Sequence, residues 1–109
     1  MSIRWDTAIT QGDTYKRKIT IFNKTSGTSP DLTNALISYE IIPLSSHPKI
    51  IYDTGDYIFL DDPLKGSFRL EVPNTITATF NWKKAKHKLV ITYPSGEVKT
   101  LLTGTIIVN

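Results

Sequence analysis

The sequence contains no cysteine. Disulfide staples and thiolate metal centres are therefore excluded. The redox compartment stays undiagnosed, because proteins of extracellular particles can also do without cysteine. There are only two histidines, His47 and His87. Neither takes part in the H-x-x-x-H or H-E-x-x-H spacing that sets two imidazoles on one metal. His47 lies between Ser46 and Pro48, and His87 lies in a run of lysines, so both are expected in solvent. The sequence has no G-x-S-x-G elbow, no P-loop and no G-x-G-x-x-G turn. No stretch approaches the roughly 18 apolar residues of a membrane-spanning helix. Met1-Ser2-Ile3-Arg4-Trp5 lacks the apolar run of a secretory signal. No window sustains the i, i+3, i+4, i+7 spacing of a long amphipathic helix.

What the sequence does have is two-residue alternation. In Ser67–Val72, Phe68, Leu70 and Val72 share one face while Arg69 and Glu71 take the other, the pattern of a half-buried strand. Leu89–Tyr93 and Val98–Val108 flank Pro94-Ser95-Gly96 and read as a hairpin, with Gly96 where the turn needs positive φ. Ahead of this unit, Thr7–Thr10, Thr14–Phe22, Ala35–Ile42, Lys49–Asp53 and Tyr57–Leu60 read as strands, with Lys49–Asp53 at an edge. Arg17 falls on the apolar face of its strand, so its stem is expected over apolar surface near a rim. The loop Asn23–Pro30 reads as a hairpin tip or a sheet crossover. The segment Asn74–Phe80 is expected to form at most one helical turn, capped by Asn74 or Thr75. Its three threonines disfavour anything longer.

These signals give seven or eight short strands with a turn roughly every 8–12 residues, which is the signature of an all-β antiparallel sandwich. The 109 residues suit a single domain over 1–109. The expected core is Ile19, Ile21, Ile37, Tyr39, Ile41, Ile58, Leu60, Phe68, Leu70, Val72, Leu89, Ile91, Leu102, Ile106 and Val108. Trp5 and Trp82 are expected at rims or contact surfaces. Thr103-Gly104-Thr105 interrupts the final strand, and a glycine there predicts a bulge or a close backbone approach.

Candidate sites are few. Asp61-Asp62, with Asp53 and Asp56 nearby, is the densest acidic group, but all four flank turns, where aspartate satisfies backbone donors. The formal charge of +3 is small and concentrates in Lys83-Lys84-Ala85-Lys86-His87-Lys88, beside Phe80 and Trp82. Aromatic rings next to lysines form the platform that stacks bases and neutralises phosphates. The same run also reads as a solvated strand entrance whose lysines discourage edge pairing. In a third reading, Trp5, Trp82, Lys83, Lys84, Lys86, His87 and Lys88 meet a protein partner.

The order of several short motifs resembles the Ig-like N-terminal domain of phage baseplate upper proteins and related virion proteins. These motifs are Gln11-Gly12-Asp13-Thr14, Asp31-Leu32-Thr33, Gly66 with Phe68 and Leu70, the threonine-rich Thr75–Thr79, Gly96, and Leu102–Val108. Where the family often shows a Gly-x-Tyr entry and a Tyr-Asp pair, this chain has Lys84-Ala85-Lys86-His87-Lys88. The resemblance implies an Ig-like sandwich and a non-enzymatic virion component of the tail or baseplate, the neck, or the capsid surface. It implies docking onto other phage structural proteins, with a homo-oligomer such as a ring or trimer. It brings no cofactor, metal or membrane, and nucleic acid is not the expected partner. Alternatives from the residues themselves are a carbohydrate-binding sandwich using Trp5, Trp82, Tyr52 and Tyr57, or a weak nucleic-acid binder using Lys83–Lys88.

Overall fold

The computed structural model describes residues 3–22, 27, 30–45 and 47–109. Among the described residues there are nine strands: β1 Ile3–Arg4, β2 Thr7–Ile9, β3 Tyr15–Thr20, β4 Leu36–Pro43, β5 Ile50–Asp53, β6 Ile58–Asp62, β7 Ser67–Val72, β8 Lys84–Thr92 and β9 Val98–Val108. A 3-10 turn, Pro63–Lys65, links β6 to β7, and a single helical turn α1, Asn74–Thr77, follows β7. The strands form two sheets. The larger has the order β1-β9-β8-β4-β5, with β2 also on β9, and the smaller has the order β3-β7-β6. The domain is therefore an all-β sandwich. The loop expected over 23–30 lies outside the described residues except for Gly27 and Pro30. The strands on either side of it, β3 and β4, belong to different sheets.

One feature departs from a purely antiparallel sandwich: β1 and β2 pair parallel with β9. Parallel neighbours cannot be joined by a tight turn. Here the chain between them supplies the rest of both sheets.

The alternation in the sequence places the core. Ile37, Tyr39 and Ile41 from β4, Phe68, Leu70 and Val72 from β7, and Leu89 and Ile91 from β8 are all buried between the sheets. Each such aliphatic side chain contributes about 1.5–3 kcal/mol by leaving water. Ile58, Leu102 and Ile106 join them as expected, and Ile9, Tyr15, Leu32, Phe80 and Trp82 add to them. Ile19, Ile21, Leu60 and Val108 are only partly buried, because they pack at the margin of the cluster.

The hairpin forms as read. Gly96 has φ 91°, and its N–H donates to the Tyr93 carbonyl at 2.9 Å. Its antiparallel register shifts between Leu89 and Val90, so the extra residue on β9 is Leu101 rather than Gly104. At α1 the cap differs from the expectation. Pro73 occupies the N-cap position with φ −66° and makes no side-chain cap bond. The turn is held instead by tertiary bonds. Thr77 Oγ1 donates to the Asp13 carbonyl at 2.7 Å, and Gln11 Nε2 donates to the carbonyls of Ala78 and Phe80 at 3.1 and 2.9 Å. Two motifs far apart in sequence thus meet at one end of the sandwich.

Candidate docking site

Lys84 to Lys88 lies inside β8, not in a loop before it. β8 is a central strand between β4 and β9. Its two-residue period sends Ala85 and His87 into the core and Lys84, Lys86 and Lys88 to the outer face. This corrects the expected placement of His87, which is only 2% exposed, and of Trp82, which is 4% exposed and packs against Phe80 at 5.0 Å between ring centroids. Trp5 is half-buried, as a rim residue should be. Lys83, Lys84 and Lys86 have no carboxylate partner among the described residues, whereas Lys88 pairs with Glu40 at 3.4 Å. The expected site residues therefore split. Three lysines form an outward strip on β8, Lys83 is exposed just before it, and Trp5, Trp82 and His87 face elsewhere. With Phe80 and Trp82 buried, no exposed ring on this segment offers a base-stacking platform. Trp82 and Tyr52 are likewise too buried to stack sugars beside Trp5 and Tyr57.

The buried His87 explains Gly104. His87 Nε2 lies 2.5 Å from the Trp5 carbonyl, which can only accept, so Nε2 carries the proton. In the neutral ring Nδ1 then accepts from the Tyr39 hydroxyl at 2.7 Å. A Cβ on Gly104 would stand 1.9 Å from the Trp5 oxygen and 2.9 Å from His87 Nε2. Gly104 is thus the close-approach glycine, and the Trp5 carbonyl fills the space where its side chain would be. Around this contact, Trp5 N–H donates to the Thr103 carbonyl at 2.8 Å and Asp6 Oδ1 accepts from Thr105 N–H at 2.9 Å. These bonds fasten the break between β1 and β2 to β9.

Burial holds the His87 pKa below its ordinary value of 6.5, outweighing the Trp5 carbonyl and the Asp6 carboxylate, which both raise it. A histidine kept neutral in the folded state confers stability that is complete above pH 6.5. That stability is lost as pH falls from there through the lower folded pKa. Urea titrations should therefore give a lower unfolding free energy at pH 5.5 than at pH 7.5. His87→Gln should flatten that difference.

The other conspicuous surface is the seam where β1 and β2, on one sheet edge, stand beside β3, on the edge of the other. An apolar groove of about 580 Å³ lies there, lined by Ile3, Trp5, Ile19, Ile21, Phe22, Leu101 and Leu102. Ile3 and Phe22 are 71% and 58% exposed. Arg17 also lines the groove. Its guanidinium sits 4.8 Å above the Tyr15 ring and 5.9 Å from that of Trp5. Nη1 donates to the Lys16 carbonyl at 2.8 Å and Nη2 to Thr7 Oγ1 at 3.4 Å, so Arg17 ties one sheet to the other. Its guanidinium, and not only its stem, lies over aromatic surface.

Among the described residues, β3 has β7 on one side and no strand on the other. Ile21 N–H donates to the Gly66 carbonyl on the β7 side. By the two-residue period, the backbone groups of Lys16, Lys18 and Thr20 point to the open side. Sequence reasoning treated Thr14–Phe22 as an ordinary strand and missed this edge. The available signal was Lys16-Arg17-Lys18, because cations concentrate on strands that must not pair indiscriminately.

Of the acidic residues, Asp61 pairs with Arg69 and Asp56 N–H donates to the Asp53 carbonyl at 2.7 Å. Among the described residues no three of His, Asp or Glu gather to hold a metal ion. No family model matches the chain, and no curated protein matches it.

Proposed function

We propose that the protein is a non-enzymatic structural component of a bacteriophage virion, seated in the tail or baseplate, the neck or the capsid surface, where it docks onto other particle proteins. The observation that carries this reading is the β1–β3 seam. Two sheet edges flank an apolar groove on which Ile3 and Phe22 stand exposed, as expected of an interaction surface on a small domain. The motif order supports it from the sequence side. Gln11 and Asp13 of the opening motif bond the threonine-rich crossing at Thr77 to Phe80, so these residues belong to one structural device.

The test is particle composition. Mass spectrometry of purified virions should find the protein at a fixed ratio to the major structural proteins. Particles assembled without it should be incomplete or less stable in electron micrographs. Particles of unchanged composition and stability would count against the proposal.

A further inference from the structure

We propose that the β1–β3 seam accepts an extended, acidic segment of another protein, which adds to β3 as a fourth strand of the smaller sheet. This rests on the docking role proposed above and names its site and the chemistry of its partner.

Three observations converge on a strand as the occupant. Among the described residues, the outward backbone groups of Lys18 and Thr20 have no strand to pair with, and the Lys16 carbonyl is held only by the Arg17 side chain. An added strand bonded to them would lie over the groove, and every second side chain of that strand would enter it. The groove is lined by Ile19, Ile21 and Leu101, which are only partly buried. Apolar side chains would complete their burial.

Charge decides between partners. Lys16, Arg17 and Lys18 occupy three consecutive positions of a six-residue strand. Arg17 and Lys18 are the charged residues that line the groove. Of the three, only Lys16 has a carboxylate within ion-pairing distance among the described residues, Glu71 at 3.6 Å. A second copy of this chain pairing β3 against β3 would set lysine opposite lysine, which is unfavourable on adjacent strands. A segment that alternates apolar residues with aspartate or glutamate places its apolar side chains in the groove and its carboxylates beside Lys16 and Lys18. About five to eight residues would span the edge, at roughly 3.4 Å per residue.

The probe is a ten-residue peptide of alternating valine and glutamate, compared with one of alternating valine and lysine. The glutamate peptide should shift the backbone amide resonances of Lys16, Lys18 and Thr20 and bind at least tenfold more tightly than the lysine peptide. Its affinity should fall with added salt. Lys18→Pro removes an outward N–H that bonds nothing among the described residues, a change edge strands tolerate. It should abolish binding with little change in melting temperature. Lys18→Glu preserves the backbone and should reverse the peptide preference. The inference is overturned if no β3 amide responds, if Lys18→Pro binds as well as the unsubstituted protein, or if the protein dimerises through this edge instead. Particle incorporation separates this inference from the virion role. If the unsubstituted protein and Lys18→Pro are both incorporated, the strand-addition site is wrong and the virion role stands. If neither is incorporated, the virion role fails and the peptide titration still decides the site.

Discussion

Gly104→Ala should lower the melting temperature by roughly 10–20 °C, because about 3 kcal/mol of stability is lost in a domain of this size. The cause is steric and local. The added methyl would lie 1.9 Å from the Trp5 carbonyl oxygen, which is backbone and cannot rotate away. Relief requires β1 to lift from β9. That movement would stretch the bond from Trp5 N–H to Thr103 and leave His87 Nε2 without its acceptor. Gly96→Ala provides the comparison. Its φ of 91° strains any side chain, but nothing lies within 4 Å of the new carbon. That substitution should cost only about 1–2 kcal/mol. Thermal melts of the two variants, followed by tryptophan fluorescence, would measure both effects. If Gly104→Ala melts within a few degrees of the unsubstituted protein, the Trp5 carbonyl does not occupy this space.

His87→Leu should cost about 2–4 kcal/mol in denaturant unfolding. Leucine is close in size, so the loss comes from hydrogen bonding rather than from a cavity. The Trp5 carbonyl loses its donor and the Tyr39 hydroxyl loses its acceptor, and each orphaned buried group costs about 1–3 kcal/mol. Tyr39 is fully buried, and that burial pushes its pKa well above the ordinary value, with nearby Tyr15 adding to the shift. Its hydroxyl therefore stays protonated and must find an acceptor. Tyr15 Oη, close by, is buried without a hydrogen-bond partner among the described residues. Combining His87→Leu with Tyr39→Phe should cost less than the sum of the two single changes, because the second change removes a hydroxyl the first has orphaned. Strict additivity would mean that Tyr39 and His87 do not bond.

Much of the sandwich was legible because β4, β7 and β8 alternate strictly, and burial follows that alternation residue by residue. His87 shows where the reading stopped short. Ala85, His87, Leu89 and Ile91 share one parity, so extending the β8 pattern backwards would have placed His87 in the core. The lysines on the opposite parity made the segment look solvated instead. Trp82 and Phe80 precede the strand and have no period to read. Their burial follows from the end of the sandwich closing over them, which is tertiary information. The seam was hidden for a related reason. Alternation identifies Ile19 and Ile21 as inward-facing, but it does not say that β3 has a neighbour on only one side. That depends on strand order, which local sequence leaves undetermined.

The attachment of Asp6 to Thr105 spans 99 positions of the chain, and among the described residues β1 and β2 pair with β9 alone. During synthesis on a ribosome, this margin of the larger sheet stays unzipped until β9 has emerged. Ile3, Trp5 and Ile9 cannot take their places beside β9 before then, so closure of this margin is expected to be a late step of folding.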